Sequence, residues 1–288
     1  MTEVHAAAPW LLPAAAVVLG LLVGSFLNVL VLRLPARLEW AWRRQARDFL
    51  GLAQEDEAPP PSIVFDRSRC PRCGKAIAWY DNVPLLSWLL LRGRCRACKA
   101  AIALQYPLVE GLTAVLSLAV VLRFGPSAES IAMLVLTWAL IAMAVIDLRT
   151  TWLPDELTLP TLWLGLLCSH WGLFVGPQDA ILGAVTGYLS LWSVYWGFRL
   201  LTGKEGMGYG DFKLLAALGA FAGWQGILPI VLLSSVLGAV VGSLYLALGH
   251  RDRSTPIPFG PFLALAGWVY LMAGESIEAA WRLIIPAS

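Results

Sequence analysis

Six residues carry most of the chemistry open to this sequence: four cysteines and two aspartates. Cys70-Pro-Arg-Cys73 and Cys95-Arg-Ala-Cys98 are two Cys-x-x-Cys knuckles with 21 residues between them. Each knuckle turns two sulfurs toward one point, and two knuckles so spaced can close a tetrahedron around Zn2+. Gly74, directly after Cys73, suits the tight turn of the first knuckle. Four thiolates leave no open coordination position, so the expected zinc is structural rather than catalytic. In so short a segment, metal binding would supply much of the folding free energy. Knuckles of this kind serve nucleic-acid binding, protein docking or plain bracing, and their spacing does not choose among these. The fifth cysteine, Cys168, lies in an apolar run and reads as a small buried hydrophobe.

The aspartates are Asp147 and Asp211. Asp147 ends the apolar run that begins at Ser130, and Asp211 follows Gly206-Met-Gly-Tyr-Gly210 just before Phe212 and Lys213. An ionisable group beside an apolar span is costly and is a functional candidate by default. Each has a plainer reading. Asp147 can be a solvated helix end next to Arg149, and Asp211 can be an N-cap favoured by the helix dipole. Glycines at 206, 208 and 210 shift the balance, because they permit close backbone approach and unusual dihedrals beside an acid. Two aspartates held close share one proton. The ionised member takes a proton from water while the neutral one donates to a scissile carbonyl, so a peptide bond is cut without metal or covalent intermediate. Which of the two is the base is a property of the pair rather than of the sequence.

Rival chemistries find little support. There is no His-Glu-x-x-His motif, and His5, His170 and His250 are scattered without a partner serine. The Gly-Met-Gly-Tyr-Gly run follows an apolar helix rather than a strand and misplaces the third glycine of a dinucleotide fingerprint.

The elements that must position these residues are apolar helices. The chain is 58% hydrophobic and only 14% charged, against about 25% charged in ordinary soluble domains. A span needs roughly 20 apolar residues. Eight are expected, at about 10–32, 104–122, 129–147, 157–175, 179–199, 211–226, 228–248 and 258–274, with Gly226 and Pro229 breaking the run between the sixth and seventh. The N-terminus (Glu3, His5) lacks the basic region of a cleaved signal peptide, so the first run reads as a retained helix. The net charge of +2 says little about partners, but its distribution says more: residues 33–99 hold 13 of the 21 Lys and Arg. With the N-terminus outside, 19 of the 21 fall on the cytoplasmic side, in the loops 33–103, 148–156, 200–210 and 249–257 and at their helix ends. Both termini are therefore expected in the periplasm.

The expected architecture is an all-α polytopic membrane protein in three parts: a first span over 1–33, a cytoplasmic zinc-binding piece over 34–103, and a seven-helix core over 104–288. Within the middle part, Trp40 to Leu50 reads as an amphipathic helix on the membrane surface, and residues 54–62 read as an acidic, proline-rich linker.

Several stretches resemble the type IV prepilin peptidases, membrane aspartyl proteases with a Gly-x-Gly-Asp block. These are Gly24-Ser-Phe-Leu-Asn-Val-Leu-Val-Leu-Arg-Leu-Pro35, then Asp81-Asn-Val-Pro-Leu-Leu-Ser-Trp88 among the cysteines, and Tyr106-Pro-Leu-Val-Glu110. Ile146-Asp147 with Leu153-Pro-Asp-Glu-Leu-Thr-Leu-Pro160 matches the first catalytic block, Gly208-Tyr-Gly-Asp-Phe-Lys213 the second, and Ile257-Pro-Phe-Gly-Pro-Phe262 a late motif.

The resemblance covers nearly the whole chain in order. It implies that Asp147 and Asp211 are the catalytic pair, supported by Gly208, Gly210 and Lys213. It also implies prepilin or prepseudopilin substrates, cut after a short basic leader at the cytoplasmic face of a bacterial inner membrane. Members with the cysteine module usually also N-methylate the new N-terminus from S-adenosylmethionine, for which Gly93, Arg94 and Glu110 are the site candidates. Membrane lipid is the other expected partner, and no nucleic acid is expected. Asp155 reads as an N-cap or turn residue opening the fourth span. The alternatives are a peptidase without methyl transfer, or a transporter with a zinc-bound domain. The transporter is disfavoured because an ion relay would spread its acids through the bilayer.

Overall fold

The structure is a computed structural model describing residues 9–53, 57–248 and 258–284, without side chains for residue 246 and residues 275–284. Glu3, His5, part of the 54–62 linker, His250, the 249–257 loop and Ile257 lie outside the described residues. The chain is all-helical, and its described extended pairing amounts to two isolated bridges, Arg69 with Ala76 and Arg94 with Ala101. It folds as two compact units, residues 1–126 and 127–288.

The first unit is built on α1 (Leu11–Phe49) and α3 (Gln105–Phe124), with a short α2 (Leu86–Leu90) in the segment between. At 1.5 Å per residue, the 39 residues of α1 are about 58 Å long, nearly twice the thickness of a hydrocarbon core. The surface helix expected over 40–50 is thus a continuation of the first span, which passes through Pro35 without ending. Polar anchors fix its course: the Arg33 guanidinium donates to the carbonyls of Ser62, Asp66 and Arg67, and Arg37 donates to that of Pro60. α1 and α3 meet through glycines. A Cβ on Gly20 would lie 2.6 Å from the Ala114 Cα, and one on Gly24 would lie 2.7 Å from the Glu110 Cα. In lipid the apolar effect gives helices no reason to associate, so close backbone packing at small residues does that work.

The second unit holds α4 (Ala128–Thr150), α5 (Asp155–His170), α6 (Pro177–Thr202), α7 (Tyr209–Ala222), α8 (Ile227–Ala247) and α9 (Gly260–Ile284). α7 is central, packing against α5, α6 and α9, and every residue from Asp211 to Ala222 except Lys213 is buried. Gly183 and Gly187 lie one turn apart on α6. They bring α6 so close that a Cβ on Gly183 would strike the Gly219 carbonyl, and one on Gly187 would sit 2.7 Å from the Leu215 carbonyl. The helix break expected at Gly226 falls earlier. Gly223, at φ +71, ends α7, and a single 3-10 turn leads into α8, whose first turn accommodates Pro229.

Among the described residues, four helices are long and apolar enough to cross a bilayer: Leu11–Phe49, Gln105–Phe124, Ala128–Thr150 and the helical stretch Trp224–Tyr245. α7, with 14 residues, is only about 21 Å long. Large apolar side chains such as Val18, Leu22, Ile131, Leu228, Val236 and Val240 face outward, the pattern of a protein solvated by lipid.

Candidate active site and metal centre

Asp147 lies in the last turn of α4 and Asp211 in the first turn of α7; both are buried. The solvated-end reading of Asp147 therefore falls. α4 ends by placing Thr151 in the left-handed region, with its N–H returned to the Asp147 carbonyl. The chain then crosses Leu153 and Pro154 into α5. Leu153 is buried and joins the two acids' surroundings: a Cβ on Gly210 would lie 2.6 Å from the Leu153 Cβ, and one on Gly260 would lie 3.1 Å from its Cδ1.

Asp211 is not the N-cap. Gly208 caps α7, and Asp211 is the third residue in, with its carboxylate returned to the Gly208 backbone. This is the acidic half of a capping box. Asp147 is held in the same manner from further away, because the Gly260 N–H, at the start of α9, donates to its Oδ2 at 3.0 Å. Each carboxylate thus accepts one backbone N–H at the positive end of a helix, and Asp147 acts electrostatically on Asp211.

Of the three glycines before Asp211, none has a positive φ. Close approach is the use of two of them. Gly210 faces Leu153, a Cβ on Gly206 would lie 2.9 Å from the Phe198 ring, and Gly208 stands in open space. Gly260 is the residue that motif reading misses: a Cβ there would lie 2.6 Å from the Asp147 Oδ2. Its only signal in the sequence is the late Pro-Phe-Gly-Pro run. Lys213 grips Asp155 through both oxygens, at 2.6 and 2.7 Å. Asp155 is the first residue of α5 rather than its cap, which is Pro154. The ion pair ties the start of α5 to the start of α7.

The four knuckle cysteines converge, with all four sulfurs within 4.8 Å of one another. None is in a disulfide. Cys70 and Cys98 place their sulfurs 3.8 Å apart. That is the edge of a tetrahedron with metal–sulfur bonds of about 2.3 Å, and far beyond a disulfide bond of about 2.05 Å. The donor set therefore fits a thiophilic divalent ion. The two knuckles repeat one turn: Cys70 N–H bonds to Lys75 O and Cys95 N–H to Ala100 O, with Gly74 and Lys99 in the left-handed region at matching places. Backbone hydrogen bonds from Cys73, then Arg72, draw the Cys70 thiol down to about 6, toward the thiolate that binds metal. Asp81, in the 3-10 turn Trp79–Asn82, receives Arg96 in a bidentate pair that fastens this turn to the second knuckle. Cys168 is buried in α5, as expected.

Glu110 is buried on α3. Its Oε2 accepts the Leu85 N–H at 2.8 Å, and Leu85 is held at φ +56. Gly93 is also in the left-handed region and packs on the Trp88 indole, where a Cβ would lie 2.9 Å from Cζ2; the next residue, Arg94, is exposed. Asn28, buried on α1, donates to the carbonyls of Gly24 and Tyr106.

Two protein families match in sequence order: the bacterial Peptidase A24 N-terminal domain over residues 18–124 and the type IV leader peptidase family over residues 134–243. A prepilin leader peptidase/N-methyltransferase of Xanthomonas campestris pv. campestris is 56% identical over 92% of this chain and 92% of its own length. Proteins of the same description match from Stutzerimonas stutzeri (54%, over 97% and 96%) and Pseudomonas aeruginosa (55%, over 92% and 91%). No solved structure matches. With this identity over nearly its whole length, the chain belongs to the type IV leader peptidase family.

Proposed function

We propose that this chain removes the basic leader from prepilin or prepseudopilin precursors with the Asp147–Asp211 pair, then N-methylates the residue so exposed. The observation that carries the peptidase reading is the matched setting of two buried carboxylates, each holding one glycine N–H at a helix N-terminus. One aspartate takes a proton from water as it attacks, and the other donates to the scissile carbonyl. The two N–H groups hold the acids in place without neutralising them, and Leu153 fills the space beside them. Gly208, Gly210 and Lys213 support the site by capping α7, admitting Leu153 and bracing α5. A leader-bearing pilin precursor incubated with Asp147→Asn or Asp211→Asn should remain uncut. Unimpaired cleavage by either variant overturns the assignment.

In this reading the cysteine cluster holds one structural Zn2+ through Cys70, Cys73, Cys95 and Cys98. Metal analysis of purified, reduced protein should find one zinc per chain, and a zinc-free folded protein overturns it. S-adenosylmethionine is the methyl donor, and Gly93, Arg94 and Glu110 are the candidates for the methyl-transfer site. Mass spectrometry of the processed N-terminus, with the donor supplied, should show the mass of one added methyl group; an unmodified product would leave a peptidase alone. The chain crosses a bacterial inner membrane eight times with both termini periplasmic. The zinc piece over 34–103 lies at the cytoplasmic face, between a first span over 1–33 and a seven-helix core over 104–288, and the two acids of that core lie at the same face. The placement of Lys and Arg supports this orientation. A phosphatase reporter fused after residue 288 should be active only if that end is outside.

A further inference from the structure

The polar groups of the α1–α3 pair are mismatched in a way that the packing of two helices does not require. Gly24 lies against the Glu110 Cα, and Asn28, one turn later, donates to the Tyr106 carbonyl, one turn earlier than Glu110. Asn28 and Glu110 therefore stand about one helical turn, ~5.4 Å, apart along the same seam. Both have acceptor capacity to spare. The Asn28 Oδ1 is buried and accepts nothing, with the residue 1% exposed. The Glu110 carboxylate takes the Leu85 N–H and the Ser25 hydroxyl, about half of the four bonds a carboxylate can accept. No cation pairs with it among the described residues. A buried carboxylate without a counter-ion, about one helical turn from an orphan amide oxygen on the same seam, is an arrangement of acceptors that lacks a donor.

The donor it fits is a primary ammonium, with one positive charge and three N–H bonds. We propose that Glu110 and Asn28 form the subsite for the free α-ammonium of the processed N-terminal residue, the methyl acceptor. This rests on the methyl-transfer reading above. The ammonium gives one N–H to the Asn28 Oδ1 and passes a proton to the Glu110 carboxylate. Its freed lone pair forms the new N–C bond to the methyl of a sulfonium donor, whose S–C bond breaks with the electron pair left on sulfur. A thioether and a methylammonium result. The Leu85 N–H keeps the carboxylate in position meanwhile, which ties the α2 segment to the acceptor site.

The test uses the full chain in lipid nanodiscs and a synthetic peptide that begins with phenylalanine and continues as an apolar helix, with a free or an acetylated α-amine. Wild type should bind the free amine about tenfold more tightly, ~1.4 kcal/mol. Glu110→Gln and Asn28→Leu should each erase that preference while zinc content and melting temperature are kept. Glutamine still accepts the Leu85 N–H, so that hydrogen bond survives in the first variant. The methylation defect of Glu110→Gln should shrink as pH rises past about 8, where a peptide α-amine loses its proton unaided. Equal binding of the two peptides by wild type, or a preference that survives both substitutions, overturns the proposal. So does loss of zinc along with the preference, which would make Glu110 a brace. If wild type prefers the free amine yet methylates nothing, the methyl-transfer reading fails and the amine site stands.

Discussion

The functional residues of this chain are governed by what sits within one bond of them. Asp147 is tuned from 113 positions away by the Gly260 N–H, and the space there is so narrow that the smallest side chain intrudes. Gly260→Ala should displace the Asp147 carboxylate and lower kcat for leader cleavage by about a hundredfold, the effect of a misplacement near 1 Å. Zinc content and melting temperature should be nearly unchanged, and an alanine variant with full activity would remove Gly260 from the site. Lys99 offers a prediction of the opposite sign. It occupies a left-handed position, φ +59, where the first knuckle has Gly74. Lys99→Gly should relieve about 1 kcal/mol of strain, and slower zinc loss to a chelator would show it. Arg33 shows that a residue in an apparently simple basic flank can organise a whole segment, here by gathering three carbonyls.

At the scale of elements, the helices associate where they carry glycine. Gly20-xxx-Gly24 faces α3, and Gly183-xxx-Gly187 faces α7. Both pairs match the small-residue spacing of helices that pack in lipid, so the spacing alone marks these two faces for close contact. Gly183→Ala must push α6 away from the Gly219 carbonyl. Overpacking of this kind costs about 1–3 kcal/mol, which a lowered melting temperature and a parallel loss of cleavage should report. The short central α7 reverses the usual expectation for a span. It lies inside other helices, and 14 residues suffice because its ends need not reach the headgroups on their own.

At the scale of the molecule, two compact units divide the chemistry, with the cysteine cluster and Glu110 in the first and the aspartates in the second. Metal removal should therefore act locally. Chelation should raise hydrogen exchange across residues 68–102 while α4 and α7 keep their protection, and uniform deprotection would show a single cooperative unit instead. The Asp81–Arg96 pair adds a pH dependence to the same region. Arg96 holds the Asp81 carboxyl below its usual range, so its contribution is complete above about pH 4, the unfolded value. It fades as pH falls through the lower folded value. Asp81→Asn should make zinc loss faster at neutral pH and should erase the part of its acid sensitivity that lies below pH 4.

Local spacing, composition and charge along the chain were enough to single out the four clustered cysteines, the two acids, the helical class and the apolar spans. Cysteines three positions apart and aspartates at the ends of apolar runs need no distant partner to be recognised. Tertiary structure alone decided that Asp147 is buried rather than solvated, that Gly260 holds it, that Lys213 reaches Asp155 rather than the site, and that Asn28 and Glu110 share one seam. Those are contacts between residues tens to more than a hundred positions apart, and no local pattern encodes which helix faces which. It also decided that α1 runs unbroken to Phe49. The propensity of residues 34–49 for helix is visible in the sequence, but their course is set by where Arg33 and Arg37 find their carbonyls.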